Sequence, residues 1–299
     1  MIKVKNVIKN YGNFRALKGV SFEAQKNTIT ALLGPNGAGK TTTLRILSGY
    51  LFPDDGDIEY FGKNYKNSDF KNLIGYVPEN NPIYEDLEVS EYLNWISKIY
   101  GVDSSNVKTV IDKCSLKDVI GKKIGSLSKG YKQRVSLAKA IIHNPPILLL
   151  DEPTSGLDPN QANQTKELIK DLKGEKTVII STHILSEAES ICDNILIINK
   201  GEIQASGKID EIIKQYSRNS YTLKIEGKIE IDFSGLKEIK EIAKTYYENE
   251  VQYIIEFNNE KDMRKEILEY LISKKISLLE FYKNRITLEE IFTKITKEN

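Results

Sequence analysis

The sequence predicts a mainly parallel, doubly wound α/β core carrying a helical insertion, followed by a small α+β domain. Three observations lead there. Short apolar strands alternate with helix-length segments through most of the first two hundred residues. A Gly-rich turn at 34–39 joins one such strand to a helix. After Gly207 the pattern restarts with strands and helices of its own.

Residues 1–33 are β-rich: Ile2-Lys3-Val4-Lys5-Asn6-Val7 alternates, and Thr28–Leu33 is a short apolar strand. The turn at 34–39 opens a helix from about Lys40 to Ser48, closed by Gly49. Residues 54–78 read as hairpin material, with the turn signal Asp54-Asp55-Gly56-Asp57 and strands near Asp57–Phe61 and Leu73–Val77. From about 85 to 143 the period becomes helical: Val89, Tyr92, Leu93, Ile96 and Ile99 recur on one face, as do Val135, Ala138 and Ile142. Strands return at Ile147–Leu150, Thr177–Ser181 and Asn194–Ile198, with the helix Gln161–Leu172 between the first two. In the tail, Tyr221–Ile225, Val251–Phe257 and Ile276–Phe281 read as strands, and about 235–247, 260–273 and 287–296 as helices. The expected domains are 1–205 and 206–299.

Composition narrows the function. With 40% hydrophobic and 28% charged residues the chain has the make-up of a soluble globular protein. A net charge of +1, with Lys and Glu interleaved, argues against a dedicated nucleic-acid binder, so no nucleic-acid partner is expected. Cys114 and Cys192 lack the spacing of a metal knuckle and read as buried small hydrophobes. No run approaches the roughly 20 apolar residues that span a bilayer, and Met1 to Lys5 alternates like a strand rather than a signal peptide. The expected location is cytoplasmic, with any membrane role supplied by a partner.

Two motifs carry chemistry directly. Gly34-Pro35-Asn36-Gly37-Ala38-Gly39-Lys40-Thr41 fits the phosphate-loop pattern G-x-x-x-x-G-K-[ST], with Thr42 next in the helix. Glycines let backbone N–H groups converge on phosphate oxygens, and the helix N-terminus adds its dipole. Lys40 is placed to reach the β- and γ-phosphates, and the Thr41 hydroxyl to ligate Mg²⁺. The second motif, Ile147-Leu148-Leu149-Leu150-Asp151-Glu152, is a buried strand ending in two acids, at the edge where parallel sheets bind ligands. Asp151 would hold Mg²⁺, and Glu152 would act on the attacking water as general base or orienting group.

With these residues in hand, the chain resembles the ATP-binding cassette of ABC transporters over residues 1 to about 205. Leu127-Ser128-Lys129-Gly130-Tyr131 stands where the family's LSGGQ signature stands, Ser155-Gly156-Leu157-Asp158 resembles the D-loop, His183 the switch histidine, and Tyr11 the aromatic that stacks on adenine. The resemblance implies a P-loop NTPase fold with a RecA-like core, an antiparallel β-subdomain and a helical insertion, and ATP with Mg²⁺ as the bound pair. It also implies that Ser128, Lys129, Gly130 and Asp158 act on the nucleotide of a second cassette, in a two-fold, head-to-tail pair. The implied partner is an integral membrane permease, with the chain peripheral on the inner face of the membrane. Catalysis would rest on Glu152, His183 and Lys40.

Two departures stand out. The family's glutamine position holds Glu79, and Lys129 and Tyr131 replace Gly and Gln in the signature. Both resemble the bacterial drug-resistance, sodium-efflux and gliding-motility branch, as does the ending Thr287-Leu288-Glu289-Glu290-Ile291-Phe292. An exporter subunit is therefore expected. The competing reading is a soluble ABC-type ATPase remodelling a non-membrane assembly, but one cassette and 87 residues from Lys40 to Leu127 favour transport. Of the bland features, His143 reads as a helix C-terminal cap favoured by the dipole. Tyr84, Tyr92, Trp95 and Tyr100 read equally as helical core or as the face that receives a permease.

Overall fold

The computed structural model describes residues 1–65 and 70–297. The alternating N-terminal segment becomes β1 (Ile2–Tyr11), which pairs antiparallel with β2 (Phe14–Ala24) and with β4 (Asp55–Tyr60). With β5 (Lys63–Asn64) these form a four-stranded sheet in the order β2-β1-β4-β5. The apolar runs form a second sheet. Here β3 (Ile29–Leu33), β6 (Ile74–Val77), β7 (Ile147–Asp151), β8 (Thr177–Thr182) and β9 (Asn194–Asn199) are parallel, and β10 (Glu202–Lys208) joins antiparallel, in the order β10-β9-β3-β8-β7-β6.

Period two along β7 divides the core. Ile147 and Leu149 face α1 (Lys40–Leu47) and the antiparallel sheet, in a cluster with Leu32, Leu44, Ile58 and Ile198. Leu148 and Leu150 face the other way. They pack with Val178 and Ile180, with α4 (Lys129–Ile141) and α5 (Pro159–Asp171), and with the insertion helices α2 (Val89–Tyr100) and α3 (Ser104–Lys113). Such a strand is covered on both faces, which is why its sequence is an unbroken apolar run. Each fully buried Leu or Ile there contributes about 1.5–3 kcal/mol. The helix α6 (Leu185–Ile191) follows β8. No helix among the described residues is long and apolar enough to cross a membrane.

The chain divides into two compact units, Met1–Ile212 with Phe292–Asn299, and Ile213–Ile291. The expected boundary at 205/206 falls inside β10, which stays paired to β9. After α7 (Ile209–Tyr216), the second unit holds an antiparallel sheet in the order β12-β13-β11-β14, made of β11 (Ser220–Glu226), β12 (Ile239–Tyr246), β13 (Glu250–Phe257) and β14 (Leu278–Lys283). Tyr221, Leu223, Val251, Ile255 and Phe257 form its core with Ile267 and Leu271 of α8 (Arg264–Ser273). The final helix, α9 (Leu288–Lys297), starts in a capping box: Glu290 accepts from the Thr287 N–H at 2.8 Å, and Thr287 Oγ1 from the Glu290 N–H at 3.2 Å.

Three expectations need correction. The segment 235–247 is not a helix but contains β12. Ile239, Ile242, Ala243 and Tyr246 mimic a helical stripe, yet pairing with β13 overrides that period, and the exposed Lys and Glu suit an edge strand. Residues 54–78 are not one hairpin: β4 turns back into β5, whereas β6 crosses to the parallel sheet beside β7. The part of that reading on residues 66–69 lies outside the described residues.

His143 is not a charged cap. Its ring stacks on Tyr100 at 4.0 Å between centroids, Nε2 lies 3.3 Å from the Ile74 carbonyl oxygen, and burial lowers its pKa. The unfolded chain binds this proton more readily, so stability is expected to fall as pH drops below about 6.5 through the lower folded-state value. His143→Phe should flatten that part of a denaturation-versus-pH curve. The cysteines are buried as expected, Cys114 fully and Cys192 partly, and desolvation pushes both thiols up to about 12.

Candidate functional site

The strand order puts the carboxyl ends of β3, β8 and β7 side by side, with Leu33 opposite Thr182 and Asp151 opposite Ser181. All three loops therefore leave the sheet at one edge, where parallel sheets collect ligands. After β3 the chain turns through Gly37 (φ 79°) and Gly39 (φ 111°), left-handed values that favour glycine, and enters α1. A Cβ on Gly34 would strike the Ile198 carbonyl, so the loop lies directly on β9.

Lys40, at the start of α1, is 5% exposed. Its ammonium donates to the carbonyls of Gly34 at 2.8 Å and Pro35 at 3.3 Å, and lies 3.5 Å from Glu152 Oε1. Glu152 in turn has its Oε2 3.0 Å from His183 Nδ1. The Glu152 backbone is left-handed (φ 48°) and is held there by its N–H, which donates to Ser181 Oγ at 2.9 Å.

Beneath this row Asp151 is fully buried. Its Oδ1 accepts from Ser181 Oγ at 2.5 Å and from Thr41 Oγ1 at 3.2 Å. Its Oδ2 is buried and has no partner among the described residues. An orphaned carboxylate oxygen beside a threonine hydroxyl is a hard, all-oxygen donor pair, and it fits Mg²⁺.

Lys40, Thr41, Glu152 and His183 line a cavity of about 530 Å³, whereas Asp151 is not in its lining and is bonded to Thr41, which is. The cavity lining also includes Asn36, Gly37, Gly39 and Thr42 of the loop and α1, together with Glu79, Ser155, Tyr11, Phe14 and Ala16. Gly34, Pro35 and Ala38 complete the loop without lining the cavity, and Ala38 is buried. Ser128, Lys129, Gly130 and Asp158 are not part of the lining. Ser128 caps α4 by accepting from the Tyr131 N–H at 3.4 Å, and Asp158 caps α5 by accepting from the N–H groups of Asn160 and Gln161 at 3.0 Å each.

Sequence reasoning missed four neighbours. Phe14 faces Tyr11 across the β1–β2 turn, and Ala16 and Ser155 join the same lining. Ser181 holds both acids, and its only signal was a hydroxyl at the end of the strand before His183. A second cavity of about 430 Å³ shares Glu79 and runs along 80–83 and Glu85 to Lys129 and Lys132 of α4. Glu85 and Lys132 pair across it at 2.6 Å. On α2, Tyr92 is core, while Trp95 is exposed and packs edge-on against the exposed Tyr84 at 5.1 Å.

Comparison with known proteins shows the family. Residues 17–155 match the family described as ABC transporter, and residues 207–296 match the C-terminal domain of DrrA1-3-like ATP-binding proteins. An ABC transporter ATP-binding protein of Bacillus subtilis (strain 168), YxlF, is 34% identical over 99% of both chains. The linearmycin resistance ATP-binding protein LnrL of the same organism is 31% identical over 99% of this chain and 98% of its own. Among solved structures, a dimeric bacterial ABC transporter cassette superposes with a TM-score of 0.64 at 27% identity, over 70% of this chain and 98% of that one. The same cassette is known in a post-hydrolysis state bound to ADP and phosphate.

Proposed function

Because the chain belongs to the family of ABC transporter ATP-binding proteins, we propose that it binds and hydrolyses ATP to drive an exporter. The observation that carries this reading is the convergence of Lys40, Thr41, Glu152 and His183 on one cavity that Tyr11 and Phe14 also line, with the buried Asp151 bonded to Thr41. Adenine stacks on Tyr11, beside Phe14. The triphosphate lies along 34–42, where backbone N–H groups and the α1 dipole favour it, and Lys40 exchanges its carbonyl contacts for phosphate oxygens. Thr41 and Asp151 would hold Mg²⁺, which when bound offsets phosphate charge.

Glu152 takes the proton of the attacking water as the bond to the terminal phosphorus forms and ADP departs. His183, held beside Glu152, stands next to the transferring phosphoryl group, whose charge Lys40 stabilises. Glu79 faces the same space and adds negative charge there.

One chain holds one phosphate loop and one signature. Ser128, Lys129, Gly130 and Asp158 are therefore assigned to the ATP of a second copy, in a head-to-tail pair with two sites. The second cavity and the Tyr84–Trp95 surface are assigned to a permease, which would hold the chain at the inner face of the membrane. The 213–291 unit is assigned to pairing or partner contact. Export, rather than import, is supported by the linearmycin-resistance relative. Purification of the tagged chain from a detergent extract should bring down a polytopic membrane protein in stoichiometric amount. Ribosomal proteins in its place would overturn the transport reading.

A further inference from the structure

The two helix N-termini assigned to the second copy's nucleotide interlock within a single chain. Gln161 lies in the first turn of α5, where Asp158 accepts its N–H at 3.0 Å. Its side chain leaves α5 towards α4, where Nε2 donates to Ser128 Oγ at 3.5 Å. The same carboxamide covers Gly130: a Cβ there would stand 2.6 Å from Gln161 Oε1 and 2.7 Å from Cδ. A side chain at 130 would thus have to push the Gln161 carboxamide aside. Lys129 reaches the opposite way, and its ammonium occupies the space a Cβ on Gly156 would need. One turn further along, Arg134 of α4 donates to Gln164 of α5. Gln161 and Gln164 stand three apart and Gly130 and Arg134 four apart, so the contacts form one seam between two helix faces.

We propose that Gln161 is a positioning residue for the reaction: it ties Ser128 and Gly130 to the 155–158 loop, so that both arrive at the partner copy's ATP as one rigid piece. The inference rests on the reading that these residues act across the pair. Order set within the free chain does not have to be created when two chains close, so the seam lowers the entropy lost at closure. Gln161 does not line the chain's own nucleotide cavity. Its effect should therefore fall on turnover and leave first binding of ATP alone.

The test uses the full chain, with ATP turnover measured across ATP and protein concentrations. Affinity for a fluorescent ATP analogue is measured separately, on chain too dilute to pair. Gln161→Ala is expected to lower kcat at least tenfold while KM, the analogue's Kd and the thermal midpoint stay close to wild type. Gln161→Met, which refills the space over Gly130, should return kcat to within about threefold of wild type. A kcat for Gln161→Ala within twofold of wild type overturns the proposal, as does a parallel loss of affinity. The pairing reading fails separately: wild-type turnover per chain that does not rise with protein concentration removes it, and this proposal with it.

Discussion

Glu152→Gln is expected to bind ATP as well as wild type, or more tightly, and to turn it over about 10²–10⁴-fold more slowly. The amide keeps the shape of the carboxylate and its place beside His183 Nδ1, now 3.0 Å away. It cannot take a proton from water. Removing the negative charge 3.5 Å from Lys40 also frees that ammonium for phosphate. Steady-state phosphate release beside a binding titration separates the two effects. Turnover near the wild-type rate would remove Glu152 from the role of base and leave it as a tether for His183.

Lys40→Ala should act on the other half of the site. The wild-type ammonium sits almost buried among two carbonyls and a carboxylate, a place where a cation is held for an incoming anion. Each charge-assisted contact it transfers to phosphate is worth about 1.5–3 kcal/mol. Its loss is expected to raise the Kd for ATP roughly 10–100-fold and to abolish measurable hydrolysis. The variant also leaves Glu152 without its counter-charge, so the thermal midpoint should be followed alongside. Unchanged ATP affinity in a folded variant would contradict the assigned role of the 34–41 loop.

The sequence was most legible where one period and one environment agree. Ile147–Leu150 is apolar on both faces because both faces are covered, and its two terminal acids announce the edge of the sheet. The phosphate loop reads directly because its glycines answer local needs of the backbone, left-handed turns at Gly37 and Gly39 and close approach to β9 at Gly34. What was not legible depends on partners distant in sequence. Ile239, Ile242, Ala243 and Tyr246 carry a helical stripe, and only pairing with β13 makes them a strand. Ser181 gains its two acid contacts through the parallel register of β7 and β8, a relation across 30 positions that no local pattern displays. His143 lost its cap role for the same reason, since Tyr100 and Ile74 cover it from outside its own helix.

The hydrogen-bonded ladder joining β3, β8 and β7 has a further outcome for assembly of the site during folding. Lysine, histidine and both acids are delivered by adjacent rungs, with Leu33 beside Thr182 and Ser181 beside Asp151. Slipping one strand by a single rung would displace its group by about 3.3 Å and turn each inward side chain outward. The same slip would bury wrong side chains and misalign the chemistry together, so a chain that has reached its most stable packing has by that act also aligned its reactive groups.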